Sequence, residues 1–133
     1  MAMIFVTLPV RDLSAARAFY EALGLRIEEN SSDERSAAVV VDATITVRLM
    51  TREAFAELVP GQVGDPAAGT TVVNVLAVDS RAEVDDLVAR AASAGGAWSK
   101  PVTEDEASYT GSFTDPDGHA WEVTAMEPVH VID

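Results

Sequence analysis

One order of elements can be read twice along the chain, and that repeat limits the possible folds more than any single motif. The first pass begins at Ile4 to Val10, where Ile-Phe-Val-Thr-Leu-Pro-Val is rich in apolar and β-branched residues and reads as a strand. Arg11-Asp-Leu-Ser14 opens a helix with Asp12 or Ser14 as cap, and Leu13, Ala16, Phe19, Tyr20 and Leu23 recur at helical spacing before Gly24 ends it. Strands are predicted at Leu25 to Glu28, Ala37 to Val41 and Thr44 to Met50, with the polar turn Asn30 to Glu34 after the first of them. A short helix capped by Thr51 follows. Pro60 to Gly69 clusters glycine and proline without periodicity and reads as a linker.

The pattern then restarts. Thr71 to Val78 reads as a strand, and Ser80-Arg-Ala-Glu83 as a capping box opening a helix whose apolar stripe is Val84, Leu87, Val88, Ala91 and Ala92. Gly95-Gly96 ends that helix. Ala97 to Lys100 reads as a strand, Pro101 to Ala107 as an acidic loop, and Ser108 to Thr114 with Ala120 to Ala125 as a closing hairpin. Leu8 recurs as Leu76, Val10 as Val78, Phe5 as Val73 and Phe19 as Leu87, all at one offset. The expected class is α+β: two tandem βαβββ modules, at about 3–59 and 70–126, whose sheets form a curved cleft. A patternless tail, 127–133, completes a single domain.

The closing hairpin contains the most unusual residue. Asp115-Pro-Asp-Gly118 has the chemistry of a tight turn: proline presets one φ, aspartate bonds back to the backbone, and glycine tolerates positive φ. In the return strand Ala120, Glu122 and Thr124 share one face, and Trp121 and Val123 share the other. Glutamate is depleted in strands and seldom buried unpaired, so the face that carries Glu122 must be solvent or a cavity.

Composition removes several classes of function. A net charge of −13 argues against nucleic acid, whose phosphates require a basic face, and against anionic membrane surfaces. It is compatible with plain solubility or with an acidic groove for a cationic ligand. There is no cysteine, hence neither a disulfide nor a thiolate ligand. No apolar run approaches the roughly 20 residues of a membrane span. Met1-Ala-Met-Ile-Phe-Val lacks the basic region of a signal peptide, and the expected location is the cytoplasm.

Phe5-Val-Thr-Leu-Pro-Val-Arg-Asp-Leu13, with Ala18-Phe-Tyr20 and Leu23-Gly24, and Asp115-Pro-Asp-Gly-His-Ala-Trp-Glu-Val123 together resemble the vicinal oxygen chelate superfamily. That superfamily includes glyoxalase I, extradiol dioxygenases and bleomycin-resistance proteins. The branch it most resembles is often called predicted lactoylglutathione lyases. The resemblance implies a divalent metal held by four side chains, from the first and fourth strands of each module. Here those positions are Phe5, about Arg48, Val73 and Glu122. Phenylalanine and valine cannot ligate, arginine remains protonated, and a catalytic zinc or nickel needs about three protein ligands. His119, expected to face solvent in the turn, and His130 in the tail do not complete a set.

The expectation is therefore a ligand site without a catalytic metal or other cofactor. It is lined by Phe5, Thr7, Arg48, Met50, Val73, Val75, Trp98, Tyr109 and Phe113, with Glu122 as the candidate catalytic group. Arg48 and Glu122 are expected to pair where a metal would sit. The first functional expectation is a protein that binds a small organic molecule without turnover, as bleomycin-type resistance proteins do. The alternative is a metal-dependent lyase, isomerase or dioxygenase with Glu122 as ligand or general base. A third is an interaction module with a vestigial cleft. The resemblance also implies a homodimer.

Overall fold

The computed structural model describes residues 1–96 and 100–126. It divides into two compact units, Met1–Pro66 and Ala67–Asp133, with the division inside the stretch read as a linker.

In the first unit, β1 (Ile4–Val10) leads into α1 (Leu13–Ala22). Asp12 is the cap: its Oδ1 accepts the Ala15 N–H at 3.1 Å, satisfying a donor that the helix leaves open. Gly24, at φ 94°, turns the chain out of the helix. β2 (Arg26–Glu28), a single 3₁₀ turn at Glu29–Ser31, β3 (Ser36–Asp42), β4 (Ile45–Thr51) and the short α2 (Arg52–Ala56) follow. The sheet order is β1-β4-β3-β2, with β1 parallel to β4 and the other neighbours antiparallel.

Alternation divides this sheet into two faces. Leu8, Val10, Ile27, Ala37, Val39, Val47 and Leu49 are buried on one, and Ala16, Phe19, Tyr20 and Leu23 are the buried residues in and just after α1. The rings of Phe19 and Tyr20 meet edge to face at 5.1 Å. Each such buried aromatic contributes about 1.5–3 kcal/mol of transfer free energy, so this face anchors the module.

The second unit repeats the plan with β5 (Val73–Val78), α3 (Arg81–Ser93), β6 (Thr103–Glu104), β7 (Ser108–Thr114) and β8 (Ala120–Met126). Its sheet order is β5-β8-β7-β6, again with the first strand parallel to the last. The α+β class and the two tandem βαβββ modules are thus as the repeat predicts. Among the described residues, no helix is long and apolar enough to cross a membrane.

Four local readings need correction. Among the described residues the strand that follows α3 is Thr103–Glu104, within the expected acidic loop, and 97–99 of the expected strand Ala97 to Lys100 lie outside them. Ala92 is exposed rather than in the buried stripe, which Val84 and Ala91 anchor. The capping box is displaced by one residue: Ser80 Oγ accepts the Glu83 N–H at 3.2 Å, but the Glu83 carboxylate takes the Asp79 N–H at 3.3 Å. His119, expected to face solvent, is half-buried. The tail, with His130, lies outside the described residues.

Candidate functional site

The turn between β7 and β8 fixes the site's strongest feature. Asp115 is wholly buried, and its Oδ1 accepts the backbone N–H groups of Asp117 at 3.0 Å and His119 at 2.9 Å. Gly118 takes φ 101° and donates to the Asp115 carbonyl at 2.9 Å. With the turn so held, register is determined, and a slip of one residue would turn every side chain to the other face. The pairs run Thr114 with Ala120, Phe113 with Trp121, Ser112 with Glu122, Gly111 with Val123 and Thr110 with Thr124.

The register assigns the faces of module two. Tyr109, Gly111 and Phe113 lie on the side of α3. At Gly111 an added Cβ would stand 2.7 Å from Val88 Cγ2 and 3.1 Å from Val84 Cγ1, so the helix rests directly on the strand. Phe113 is buried and stacked on Trp121. Tyr109 donates its hydroxyl to Asp85 Oδ1 at 2.7 Å, with the Arg81 guanidinium 5.2 Å from its ring centre. That hydrogen bond, more than desolvation, raises the phenol above its ordinary range. The expected placement of Tyr109 and Phe113 beside Glu122 is therefore corrected. They are odd-numbered in a strand whose even-numbered residues share the Glu122 face. Trp98, the third aromatic expected there, lies outside the described residues.

The opposite, open face carries Val73, Val75 and Ala77 of β5, Glu122 and Thr124 of β8, and Thr110, Ser112 and Thr114 of β7. Val75, directly beside Glu122 in the parallel pair, is 56% exposed. The Glu122 side chain is 33% exposed, and its Oε2 stands 3.6 Å from Lys100 Nζ. The sequence reading pairs Glu122 with Arg48; the structure pairs it with Lys100, a residue of its own module. Lys100 also donates its backbone N–H to Ser112 Oγ at 3.2 Å. The Thr110 and Thr124 hydroxyls bond to each other at 2.9 Å.

In module one the open face carries Phe5 and Thr7 of β1, with Thr46 and Arg48 as their parallel partners. Phe5 is 58% exposed, an unusual setting for a phenylalanine on a sheet. Arg48 is half-buried, and its charge reaches Asp33. Met50, on the same side, is largely withdrawn from the surface and lies between Pro9 and Ser36.

Phe5, Thr7 and Arg48 thus lie together on one module's open face, and Val73, Val75 and Glu122 on the other's. The sequence reading passed over Lys100 beside Glu122 and the hydroxyls of Ser112 and Thr114 on the Glu122 face. Counting back through the turn from Glu122 identifies the two hydroxyls, because antiparallel partners share a face. Nothing in the sequence marks Lys100.

The profile of the Glyoxalase/Bleomycin resistance protein/Dioxygenase superfamily matches residues 3–123, and the chain belongs to that superfamily. Among solved structures it is similar to a hypothetical protein of S. aureus, at 26% identity and TM-score 0.80 over 94% of each chain. A glyoxalase-related enzyme from Fulvimarina pelagi superposes with TM-score 0.80 at 24% identity, over 100% of this chain and 91% of that one. A lactoylglutathione lyase from Agrobacterium tumefaciens gives TM-score 0.67 at 22% identity, over 93% of this chain and 92% of that one. No curated protein matches the sequence.

The residues present do not fit the metal that the superfamily implies. Of Phe5, Arg48, Val73 and Glu122, only the glutamate offers a donor. Among the described residues no group of three His, Cys, Asp or Glu side chains is placed to hold an ion.

Proposed function

We propose that this protein binds a small organic molecule on an open sheet face without a catalytic metal. The observation that carries the reading is chemical. The positions that would ligate a metal hold Phe5, Arg48 and Val73, and the open faces present exposed apolar side chains around a few polar groups. Phe5, Thr7 and Arg48 in one module, and Val73, Val75 and Glu122 in the other, are the proposed lining. Exposed Phe5 and Val75 supply apolar area, and Arg48 and Glu122 are the charged groups beside it.

Screening cationic, aromatic and anionic small molecules by thermal shift tests this. A ligand of the native state alone stabilises by RT ln(1 + [L]/Kd), about 2.7 kcal/mol at a hundredfold excess over Kd. Saturable binding without turnover, weakened in Phe5→Ala or Val75→Ser, is the expected result. No saturable ligand across a broad library at millimolar concentration overturns it.

The second reading is a metal-dependent lyase, isomerase or dioxygenase, favoured by the likeness to a lactoylglutathione lyase and by the half-exposed Glu122 carboxylate. Turnover that follows added nickel, zinc, iron or manganese and disappears in Glu122→Gln would establish it and displace the first. A homodimer in the cytoplasm, with the two modules acting as one domain, completes the proposal. Sedimentation equilibrium tests the dimer directly.

A further inference from the structure

We infer that the open face of module two holds an oxyanion subsite built from Lys100, Ser112 and Thr114, so that the small molecule bound there carries a carboxylate- or phosphate-type group. The inference rests on the proposed ligand-binding role and specifies the ligand's chemistry. Its basis is a surplus of donors. Lys100 Nζ stands 3.6 Å from Glu122 Oε2, beyond hydrogen-bond length, so the ammonium's N–H groups are not consumed by that carboxylate. Ser112, 3% exposed, uses its oxygen to accept the Lys100 N–H at 3.2 Å, which leaves its own O–H to donate. Thr114 Oγ1 is buried and has no hydrogen-bond partner among the described residues. A buried hydroxyl without a partner calls for a reason. Two residues along β7 from Ser112, it lies on the same face. The two hydroxyls thus lie on the face of Glu122, where the ammonium stands, and β5 on the other side of β8 presents the apolar Val73 and Val75 to that face.

That pattern suits an organic anion with an apolar body. The oxyanion would take charge-assisted hydrogen bonds from Lys100 and a hydroxyl donor, while the body covers the valines. Glu122 competes with the ligand for the same ammonium. It holds Lys100 over the face when the site is empty and repels an incoming anion, a restraint on affinity rather than an aid. The chain's net charge of −13 opposes anions at long range, but salt at about 0.15 M screens fields beyond about 8 Å, so a local donor cluster can still bind.

Amide shifts of Lys100, Ser112 and Thr114 would be followed by NMR during titration with benzoate, inorganic phosphate and the neutral isostere benzamide, at constant ionic strength. The expected result is saturable shifts with benzoate or phosphate, binding weakened about tenfold in Lys100→Met, and retention in Lys100→Arg. Glu122→Gln should tighten anion binding, whereas a merely structural ion pair would make Glu122→Gln and Lys100→Met weaken it alike. Preference for benzoate identifies an organic acid, and preference for phosphate a phosphoryl group. No saturable shift with either anion overturns the subsite. So does benzamide binding as well as benzoate with no effect of Lys100→Met; that outcome leaves the binding role standing. Failure of all three probes overturns the subsite, and the binding role falls with it only when the broad thermal-shift library also yields no saturable ligand.

Discussion

The rings of Phe113 and Trp121 lie 6.2 Å apart between centroids and within 9° of parallel, directly opposite each other across β7 and β8. Because side chains alternate, this stack beneath α3 is what turns Ser112 and Glu122 to the other face. The pair is therefore both the core of module two and the device that aims its polar row.

Truncating it should be costly. Phe113→Ala is expected to lose about 3–5 kcal/mol, from transfer free energy and the cavity left beside Trp121. Urea unfolding followed by tryptophan fluorescence would measure it. A loss under 1 kcal/mol would mean that the stack is not part of the core.

Two glycines mark close approaches of different kinds. An alanine at Gly111 would meet side-chain methyls of Val88 and Val84, which can shift. An alanine at Gly96 would meet the backbone oxygens of Ala91 and Thr114, each at 2.8 Å, which cannot shift without moving α3 or β7. Gly111→Ala should cost about 1–3 kcal/mol and Gly96→Ala more, a ranking that thermal unfolding of the two variants would check.

Alkaline pH should loosen the tie between α3 and β7. The Tyr109 hydroxyl is held above its ordinary value of 10.0, chiefly by donation to Asp85. A group raised on folding stabilises fully below its unfolded value, and that stability is lost as pH rises through the folded one. Wild type should therefore lose stability more steeply than Tyr109→Phe above pH 10, as paired pH–Tm curves would show. Parallel curves would refute it.

Acid should release the turns at Asp33 and Asp105. The backbone N–H groups of Arg35 and Ser36 lower Asp33, and those of Ala107 and Ser108 lower Asp105, from an ordinary value of 3.8. Each contribution is present above that value and is lost as pH falls through the depressed folded one. Asp105→Asn should flatten the acid limb of the stability curve below about pH 4, measured by circular dichroism. An unchanged limb would show that the carboxylate is not linked to folding.

The backbone plan was written in the sequence because its determinants are local. Helical spacing from Leu13 to Leu23, the glycine that follows, and the Asp-Pro-Asp-Gly turn each set their element through near neighbours. Alternation likewise placed Glu122 apart from Trp121. What the sequence did not contain was the partner of each polar group. Glu122 pairs with Lys100 rather than Arg48, and Tyr109 and Phe113 turn toward α3, because strand register and helix packing decide which distant atoms come within a few ångströms. Residue type determined which strands and helices form; only the folded sheet, by fixing which face each side chain occupies, decided which charges and hydroxyls meet.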